Sequence, residues 1–184
     1  METGIKLSPR LKAIAGLVIA GEPVADIGSD HAYLPIYLVK NRIVPSAVAV
    51  EVRPGPWKRA ANQVSLHGLA GKIEVRLGDG LSPLEKGEAA TVVLAGMGAR
   101  TIIRILSNAK AILPSIKRLV IQPMAEVSLV RQWLYENGYH LTDEELVQEG
   151  EHYYFILAAE EGKEKLPSSL ELEFGPILLA KKHP

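Results

Sequence analysis

Acidic residues and glycines recur where short apolar runs of the sequence end. Four run ends carry them, namely residues 26–30, Glu51, Asp79-Gly80 and Gly96-Met97-Gly98. An ionised carboxylate only accepts hydrogen bonds, and it attracts positive charge. A glycine lets a ligand approach the backbone closely, since it has no Cβ. If the run ends meet in space, they predict a site for a ligand that carries positive charge and hydrogen-bond donors.

The run ends belong to an alternation of apolar strands and amphipathic helices. Strands are predicted at residues 24–27, 47–51, 73–77, 91–95, 118–121, 139–147 and 152–159. Helices are predicted from Ser8-Pro9 to Gly21 and at residues 33–40, 57–67, 101–110 and 127–137. Strands that alternate with helices indicate βαβ units and a parallel sheet. The last two strands have no helix between them, so they are expected to pair as an antiparallel hairpin.

This order predicts an α/β fold of the Rossmann-like class I methyltransferase type. Its seven-stranded sheet would be mostly parallel and would end in the antiparallel hairpin. In an open parallel sheet, ligands bind beyond the carboxyl ends of the strands. All four run ends are therefore expected to face one crevice.

The loop after the first predicted strand, residues 28–33, indicates which class of cofactor the site suits. A dinucleotide site needs G-x-G-x-x-G around a pyrophosphate, but Asp30 stands where the second glycine would be and Tyr33 replaces the third. A carboxylate there repels phosphate, and no P-loop motif is present. S-adenosyl-L-methionine carries a sulfonium, an ammonium and no phosphate, so it suits an acidic loop. Glu51 would then accept hydrogen bonds from the ribose hydroxyls, and Asp79 from the adenine amine.

Each of these residues also has an ordinary structural interpretation. Asp26 could cap the following turn, and Glu51 could be an ordinary acid on the protein surface. Asp79-Gly80 is also a common residue pair in turns that bind nothing. Only their joint recurrence at successive strand ends favours a cofactor site.

Composition limits the class of protein without fixing its partner. The 184 residues contain 21 basic and 21 acidic side chains and no cysteine, which excludes disulfides and thiolate chemistry. The longest uncharged apolar run, residues 13–21, is too short to span a bilayer, and no signal peptide is recognisable. A cytoplasmic protein without membrane or metal is therefore expected. The neutral balance conceals a charge of +6 in residues 1–140 and −6 in residues 141–184, so nucleic acid is not excluded.

Several motifs together resemble a known family. VADIGSDHAYLP is preceded by LSPRL and followed by GDGL, LAGMG and the pair Gln122-Pro123. In this order they resemble the bacterial tRNA (adenine-N1)-methyltransferases of the TrmK family over roughly residues 5–180. The resemblance implies methylation of N1 of an adenine in the D-loop region of tRNA, with S-adenosyl-L-methionine as cofactor. Ala99 and Arg100 depart from the usual GMGG, and Ala99 is expected to narrow the pocket slightly.

The resemblance also assigns roles to individual residues. It implies that the methionine end of the cofactor contacts Asp26, Gly28, Asp30 and His31. The ribose would contact Glu51, and the adenine would contact Asp79 and Gly80. The target base would meet the methyl group at Ala95, Gly96 and Met97. Asp30 is the candidate catalytic residue, because methylation leaves the adenine ring cationic and a carboxylate stabilises that charge. The basic residues expected to contact tRNA are Arg10, Lys12, Arg100 and Arg104, and Lys6, Lys58 and Arg59 are further candidates around the mouth of the crevice.

Residues 1–160 are expected to form the cofactor-binding domain. Residues 161–184 would form a linker and the start of a truncated C-terminal helical region. Two alternatives remain, namely a methyltransferase acting on another substrate and a non-catalytic RNA-binding relic of the fold. A nicotinamide oxidoreductase is disfavoured by Asp30. The oligomeric state is left open.

Overall fold

Seven strands form one sheet within residues 5–181, which are the residues that the computed structural model describes. The outermost ends of both predicted regions, residues 1–4 and 182–184, lie outside the described residues. The strands are β1 (Val24–Ile27), β2 (Ala47–Glu51), β3 (Ile73–Leu77), β4 (Thr91–Met97), β5 (Arg118–Pro123), β6 (Tyr139–Glu149) and β7 (His152–Glu161). Their order across the sheet is β3-β2-β1-β4-β5-β7-β6.

The first five strands are parallel, and the predicted antiparallel hairpin of β6 and β7 joins the sheet beside β5. Every residue of β1 and β2 is buried, because the sheet separates two apolar clusters that cover its two faces. This explains why these strands read as continuous apolar runs instead of alternating ones. The predicted fold is confirmed, and the register places Asp26 of β1 between Ala49 and Val93.

Seven α-helices occupy the described residues. They are α1 (Pro9–Leu17), α2 (Tyr33–Lys40), α3 (Pro54–Leu66), α4 (Ala99–Asn108), α5 (Val127–Glu136), α6 (Ser169–Phe174) and α7 (Pro176–Lys181). None of those within residues 5–181 is long and apolar enough to cross a membrane.

Three helices differ from the predicted ones by two residues or more, and β4 to β7 each extend two residues beyond their predicted ends. Helix α1 ends at Leu17, before Gly21, because Val18 already has extended backbone angles. Helix α3 begins at Pro54, three residues early, since proline is tolerated in a first turn whose N–H groups have no intrahelical partner. Helix α4 begins at Ala99 and ends at Asn108, so both of its ends lie two residues before the predicted ones.

A buried ion pair attaches the C-terminal helices to the sheet. Arg131 of α5 and Glu144 of β6 are both fully buried, and Arg131 Nε donates to Glu144 Oε1 at 2.7 Å. Arg131 Nη1 also donates to the carbonyls of Leu172 and Glu173 at the end of α6. The second Glu144 oxygen accepts from the N–H of Ile177 at the start of α7. One pair therefore satisfies backbone groups of two helix ends.

Gly175 permits this arrangement at the junction of α6 and α7. Its φ is +95°, and a Cβ there would lie 2.9 Å from both Arg131 Nη2 and Glu144 Oε2. A side chain at this position would displace the ion pair, so glycine is required for steric reasons as well as for its backbone angle.

Replacing Arg131 by methionine is expected to lower the free energy of unfolding by about 3–5 kcal/mol, because Glu144 would stay buried without its cation. Urea denaturation measures this change. Lys117→Met is the control, since it removes an exposed ion pair with Glu22 and should cost about 1 kcal/mol or less. Equal losses in the two variants would contradict the role given to the buried pair.

Candidate active site

A cavity of about 330 Å³ opens beyond the carboxyl ends of β1 and β4. This is the edge of a parallel sheet at which ligands bind. The residues that line the cavity are Arg10, Leu11, Asp26, Gly28, Ser29, Asp30, His31, Tyr33, Leu34, Ala95 and Gly96. Six of the predicted cofactor residues are therefore brought together around one space.

The loop after β1 can turn sharply because of Gly28. Its φ is +72°, and its N–H donates to the Val50 carbonyl at 2.8 Å. A Cβ on Gly28 would lie 2.5 Å from the Met97 methyl group, so the predicted Met97 packs against this glycine. Asp30 also has a positive φ of 51°, which a non-glycine residue adopts only at some cost.

Two buried carboxylates lie behind this loop. Asp26 is 6% exposed and Glu51 is 5% exposed. Asp26 accepts the Ser29 hydroxyl at 2.7 Å, and Glu51 accepts the backbone N–H of Asp30. Neither carboxylate forms an ion pair with any basic side chain of the described residues. Asp26 is therefore left without an ion pair, and Glu51 has the charge of Arg59 near it but no direct ion pair.

Burial perturbs both groups. It raises the pKa of Asp26 to about 6, because the effect of desolvation and of the nearby Glu51 charge exceeds that of the Ser29 hydrogen bond. Burial also raises the pKa of Glu51, against the opposing effect of the Asp30 N–H. Such shifts mark groups whose charged form lacks compensation and are frequent at functional sites.

The arrangement suits a cationic ligand that also carries hydroxyl donors. A positive charge in the cavity would compensate Asp26, and a diol would satisfy the acceptor capacity of Glu51. S-adenosyl-L-methionine has a sulfonium, an ammonium and two ribose hydroxyls, so the residues present fit it. A pyrophosphate would add negative charge to a site that already holds two buried acids.

Asp30 lies at the mouth of the cavity with its side chain 63% exposed. Arg59 of α3 donates to Asp30 Oδ1 at 3.0 Å, and His31 Nε2 is 3.7 Å from Oδ2. The His31 ring stacks on Tyr33 with centroids 5.2 Å apart. Arg59 is one of the basic residues predicted at the mouth, but its contact with Asp30 was not predicted, because α3 brings it back to the loop from 29 positions along the chain.

Asp79 and Gly80 line a different cavity, of about 100 Å³, beside α4. These two residues are therefore not among those that line the first cavity, and the meeting of all four run ends around one ligand stays a prediction. Both Asp79 oxygens accept from the Arg104 guanidinium, at 2.8 and 3.2 Å, and these bonds lower the pKa of Asp79. Gly80 has a φ of +58°, and a Cβ there would approach an Ile105 methyl group to 2.9 Å.

The four residues predicted to contact tRNA have different surroundings. Lys12 is exposed, and Arg100 is 84% exposed with Glu126 at 3.8 Å. Arg104 is paired with Asp79, whereas Arg10 lines the cavity itself. Within residues 5–181 no three histidine, aspartate or glutamate side chains are grouped in a way that suits a metal ion.

The chain is similar to proteins of one family. A family model described as tRNA (adenine(22)-N(1))-methyltransferase, TrmK, matches residues 24–184. A Bacillus subtilis protein named tRNA (adenine(22)-N(1))-methyltransferase is 40% identical over 184 residues, covering 97% of this chain and 77% of the relative.

Solved structures agree with this match. The crystal structure of the B. subtilis m1A22 tRNA methyltransferase TrmK superposes with a TM-score of 0.92 at 40% identity, covering 97% of this chain and 79% of the other. A Streptococcus pneumoniae structure in complex with S-adenosyl-L-methionine has a TM-score of 0.94 at 39% identity and covers 97% and 84%. Mycoplasma capricolum TrmK with S-adenosyl-homocysteine has a TM-score of 0.83 at 34% identity and covers 92% and 75%.

The raised pKa of Asp26 predicts a pH-dependent stability of the ligand-free protein. A carboxyl whose folded pKa exceeds its ordinary 3.8 stabilises the fold at low pH and loses that contribution as pH rises through about 6. Asp26→Asn should therefore gain about 1–1.5 kcal/mol of stability relative to wild type between pH 5 and pH 7.5, which is the part of the shift's effect that remains to be lost above pH 5. Urea unfolding at both pH values measures this gain.

Glu85→Gln, which changes an exposed acid, is the control and should show no such trend. The interpretation fails if the stability difference between Asp26→Asn and wild type is the same at both pH values.

Proposed function

The chain belongs to the TrmK family of tRNA (adenine(22)-N(1))-methyltransferases, and we propose that it methylates N1 of adenine 22 in tRNA. The family match makes it an S-adenosyl-L-methionine-dependent methyltransferase with tRNA as substrate. The observation that carries the proposal is the pair of buried carboxylates without an ion pair, Asp26 lining the cavity and Glu51 behind its loop. When bound, the cofactor supplies an electrophilic methyl group.

The proposed cofactor residues would contact different parts of the ligand. Asp26 would compensate the positive charge of the methionine end, and Gly28 would leave the backbone open to it. Glu51 would accept from the ribose hydroxyls. Asp79 has a lowered pKa and is therefore an ionised acceptor suited to the adenine amine, provided that Arg104 shares its oxygens.

The remaining predicted residues would act where the target base enters. Ala95 and Gly96 line the cavity, and Gly96 leaves its backbone uncovered at the end of β4. His31 stacks on Tyr33 at the same opening and would help to shape it. These residues would hold adenine N1 in line with the methyl group, which is the main requirement of this transfer.

Asp30 is the proposed catalytic residue. Methylation of N1 makes the adenine ring cationic, and a carboxylate at the cavity mouth would stabilise that charge as it develops. Arg59 holds Asp30 Oδ1 at 3.0 Å, so the carboxylate is oriented before the substrate arrives. Asp30 is also mostly exposed, which leaves its second oxygen accessible to a base.

On the substrate side, exposed basic residues would contact the tRNA backbone. Lys12 and Arg100 are exposed, Arg100 with Glu126 at 3.8 Å, and Arg104 would join them if its pair with Asp79 opens. The target adenine must leave its stack to enter a cavity of this kind. Because its substrate is tRNA, we also propose that the protein acts in the cytoplasm.

The direct test supplies methyl-labelled S-adenosyl-L-methionine and a tRNA transcript with adenine at position 22. After digestion to nucleosides, the label is expected in 1-methyladenosine. A transcript with guanine at position 22 should remain unlabelled, as should reactions with Asp26→Asn, which lacks the proposed compensating charge. Label in another nucleoside or in protein would indicate a methyltransferase of a different substrate. Binding of tRNA by a protein that does not bind S-adenosyl-L-methionine would indicate the non-catalytic relic.

Asp30→Asn is expected to lower kcat by about 100-fold, because the uncharged amide stabilises the cationic ring less well. The Kd for S-adenosyl-L-methionine should change by less than about threefold, since the proposed charge compensation is left to Asp26. Single-turnover kinetics and calorimetry measure the two quantities. Glu22→Gln is the control, because Glu22 precedes β1 at the opposite edge of the sheet.

If kcat of Asp30→Asn stays near that of wild type, Asp30 is not catalytic. If the cofactor Kd rises about as much as kcat falls, Asp30 is a cofactor residue instead.

A further inference from the structure

The exposed face of α4 carries two arginines beside the entrance proposed for the target base. Arg100 and Arg104 are four positions apart in a helix that begins directly after Gly98, and both side chains are exposed. Helical residues with this spacing lie on one face, about 6 Å apart along the axis. A tRNA whose adenine enters at Gly96 would therefore have its phosphates near this face.

The two arginines differ in how firmly the protein holds them. Arg100 Nη2 lies 3.8 Å from Glu126 Oε1, which is too long for a hydrogen bond. Arg104 Nη1 donates to Asp79 Oδ2 at 2.8 Å, and Arg104 Nη2 donates to Asp79 Oδ1 at 3.2 Å. The second contact is a bidentate pair, which is the geometry in which arginine binds a carboxylate best. Asp79 therefore keeps Arg104 away from other anions.

The backbone on both sides of this pair is fixed. The Ser82 hydroxyl and N–H donate to the Asp79 carbonyl at 2.8 and 3.2 Å. A Cβ on Gly80 would lie 2.9 Å from an Ile105 methyl group, so the turn packs directly against α4. The pair can therefore open by rotation of the Arg104 side chain, without movement of the helix or the turn.

Asp79 is also the residue that we propose for the adenine amine of the cofactor. Both of its oxygens already accept from Arg104, so the amine and the guanidinium compete for one carboxylate. The two side chains are 55% and 50% exposed, and an ion pair with this exposure is weak enough for a ligand to replace. Bound adenine would therefore make Arg104 available to another anion.

We propose that Arg104 is a tRNA contact that depends on the cofactor: the adenine amine takes over Asp79, and the released guanidinium joins Arg100 in binding tRNA phosphates. This inference rests on the proposed function, since it describes a regulation of the same site. Coupling between two ligands is reciprocal, so tRNA should also tighten cofactor binding by the same factor. The protein would thus prefer tRNA once the cofactor is in place.

The test measures the Kd of a tRNA transcript by fluorescence anisotropy, with and without saturating S-adenosyl-homocysteine. This ligand keeps the adenine, has no methyl group to transfer and carries no net charge, so it does not attract RNA electrostatically. Wild-type protein should bind tRNA about three- to fivefold more tightly with the ligand, as expected for an exposed ion pair. S-inosyl-homocysteine has an oxygen in place of the adenine amine, and at saturation it should give no gain.

Arg104→Met should abolish the gain by weakening tRNA binding only when S-adenosyl-homocysteine is bound, because Asp79 already occupies Arg104 in the ligand-free protein. Arg100→Met is the matched control, since it removes an exposed arginine one turn earlier on the same helix. It should weaken tRNA binding equally in both states and so retain the gain.

Asp79→Asn should bind tRNA without any ligand about as tightly as liganded wild-type protein, because Arg104 is then already released. Glu126→Gln makes the same change of charge beside Arg100 and should still show the gain. Thermal unfolding of each variant shows whether it is folded.

Three results would overturn the proposal. Equal tRNA affinity of wild-type protein with and without S-adenosyl-homocysteine would show that the two sites are not coupled. A full gain in Arg104→Met would show that another residue carries the coupling, and a full gain with S-inosyl-homocysteine would show that the adenine amine does not trigger it. Wild-type protein that binds no tRNA in either state would instead contradict the proposed function, which is a different outcome from binding without a gain.

Discussion

Two buried carboxylates that form no direct ion pair are the constraint around which this site is organised. Asp26 lies one residue before the end of β1 and Glu51 is the last residue of β2, and the parallel pairing of these strands places both acids at the same edge of the sheet. The apolar sheet removes them from water, and in return the protein supplies one hydroxyl, one backbone N–H and, for Glu51, the nearby charge of Arg59, which together leave both pKa values raised. A fold usually avoids such a cost, so the missing compensation is best understood as belonging to a ligand.

The opposite side of the cavity depends on the antiparallel hairpin. Strands β6 and β7 bring Glu149 and Tyr154 to α1, where they hold the backbone and the guanidinium of Arg10. The hairpin is in turn tied to the C-terminal helices by the buried pair of Arg131 and Glu144. The elements at the end of the chain thus support one wall of the cavity, and β1 and β2 support the other.

Sequence patterns predicted what is local and periodic. The apolar strands, the hairpin and the D-x-G-x-D loop were all recognisable, because strand burial and tight turns leave direct marks on residue type. Contacts between distant positions left no such mark. The Arg10–Gln122 bond spans 112 positions, and Arg59 reaches Asp30 across 29. The prediction that Arg10 contacts tRNA followed from its charge alone. In the structure its guanidinium lies against Gln122 and Tyr154, which no local sequence pattern indicates.

Proton release on cofactor binding tests most directly whether the ligand provides the missing charge. Asp26 has a pKa of about 6 in the ligand-free protein, so it is partly protonated at pH 6, and a bound cation would lower that pKa. Calorimetry of S-adenosyl-L-methionine binding at pH 6, in two buffers of different ionisation enthalpy, should therefore detect net release of protons, and Asp26→Asn should abolish it. Binding without proton release, or with uptake, would contradict the view that Asp26 compensates the cofactor.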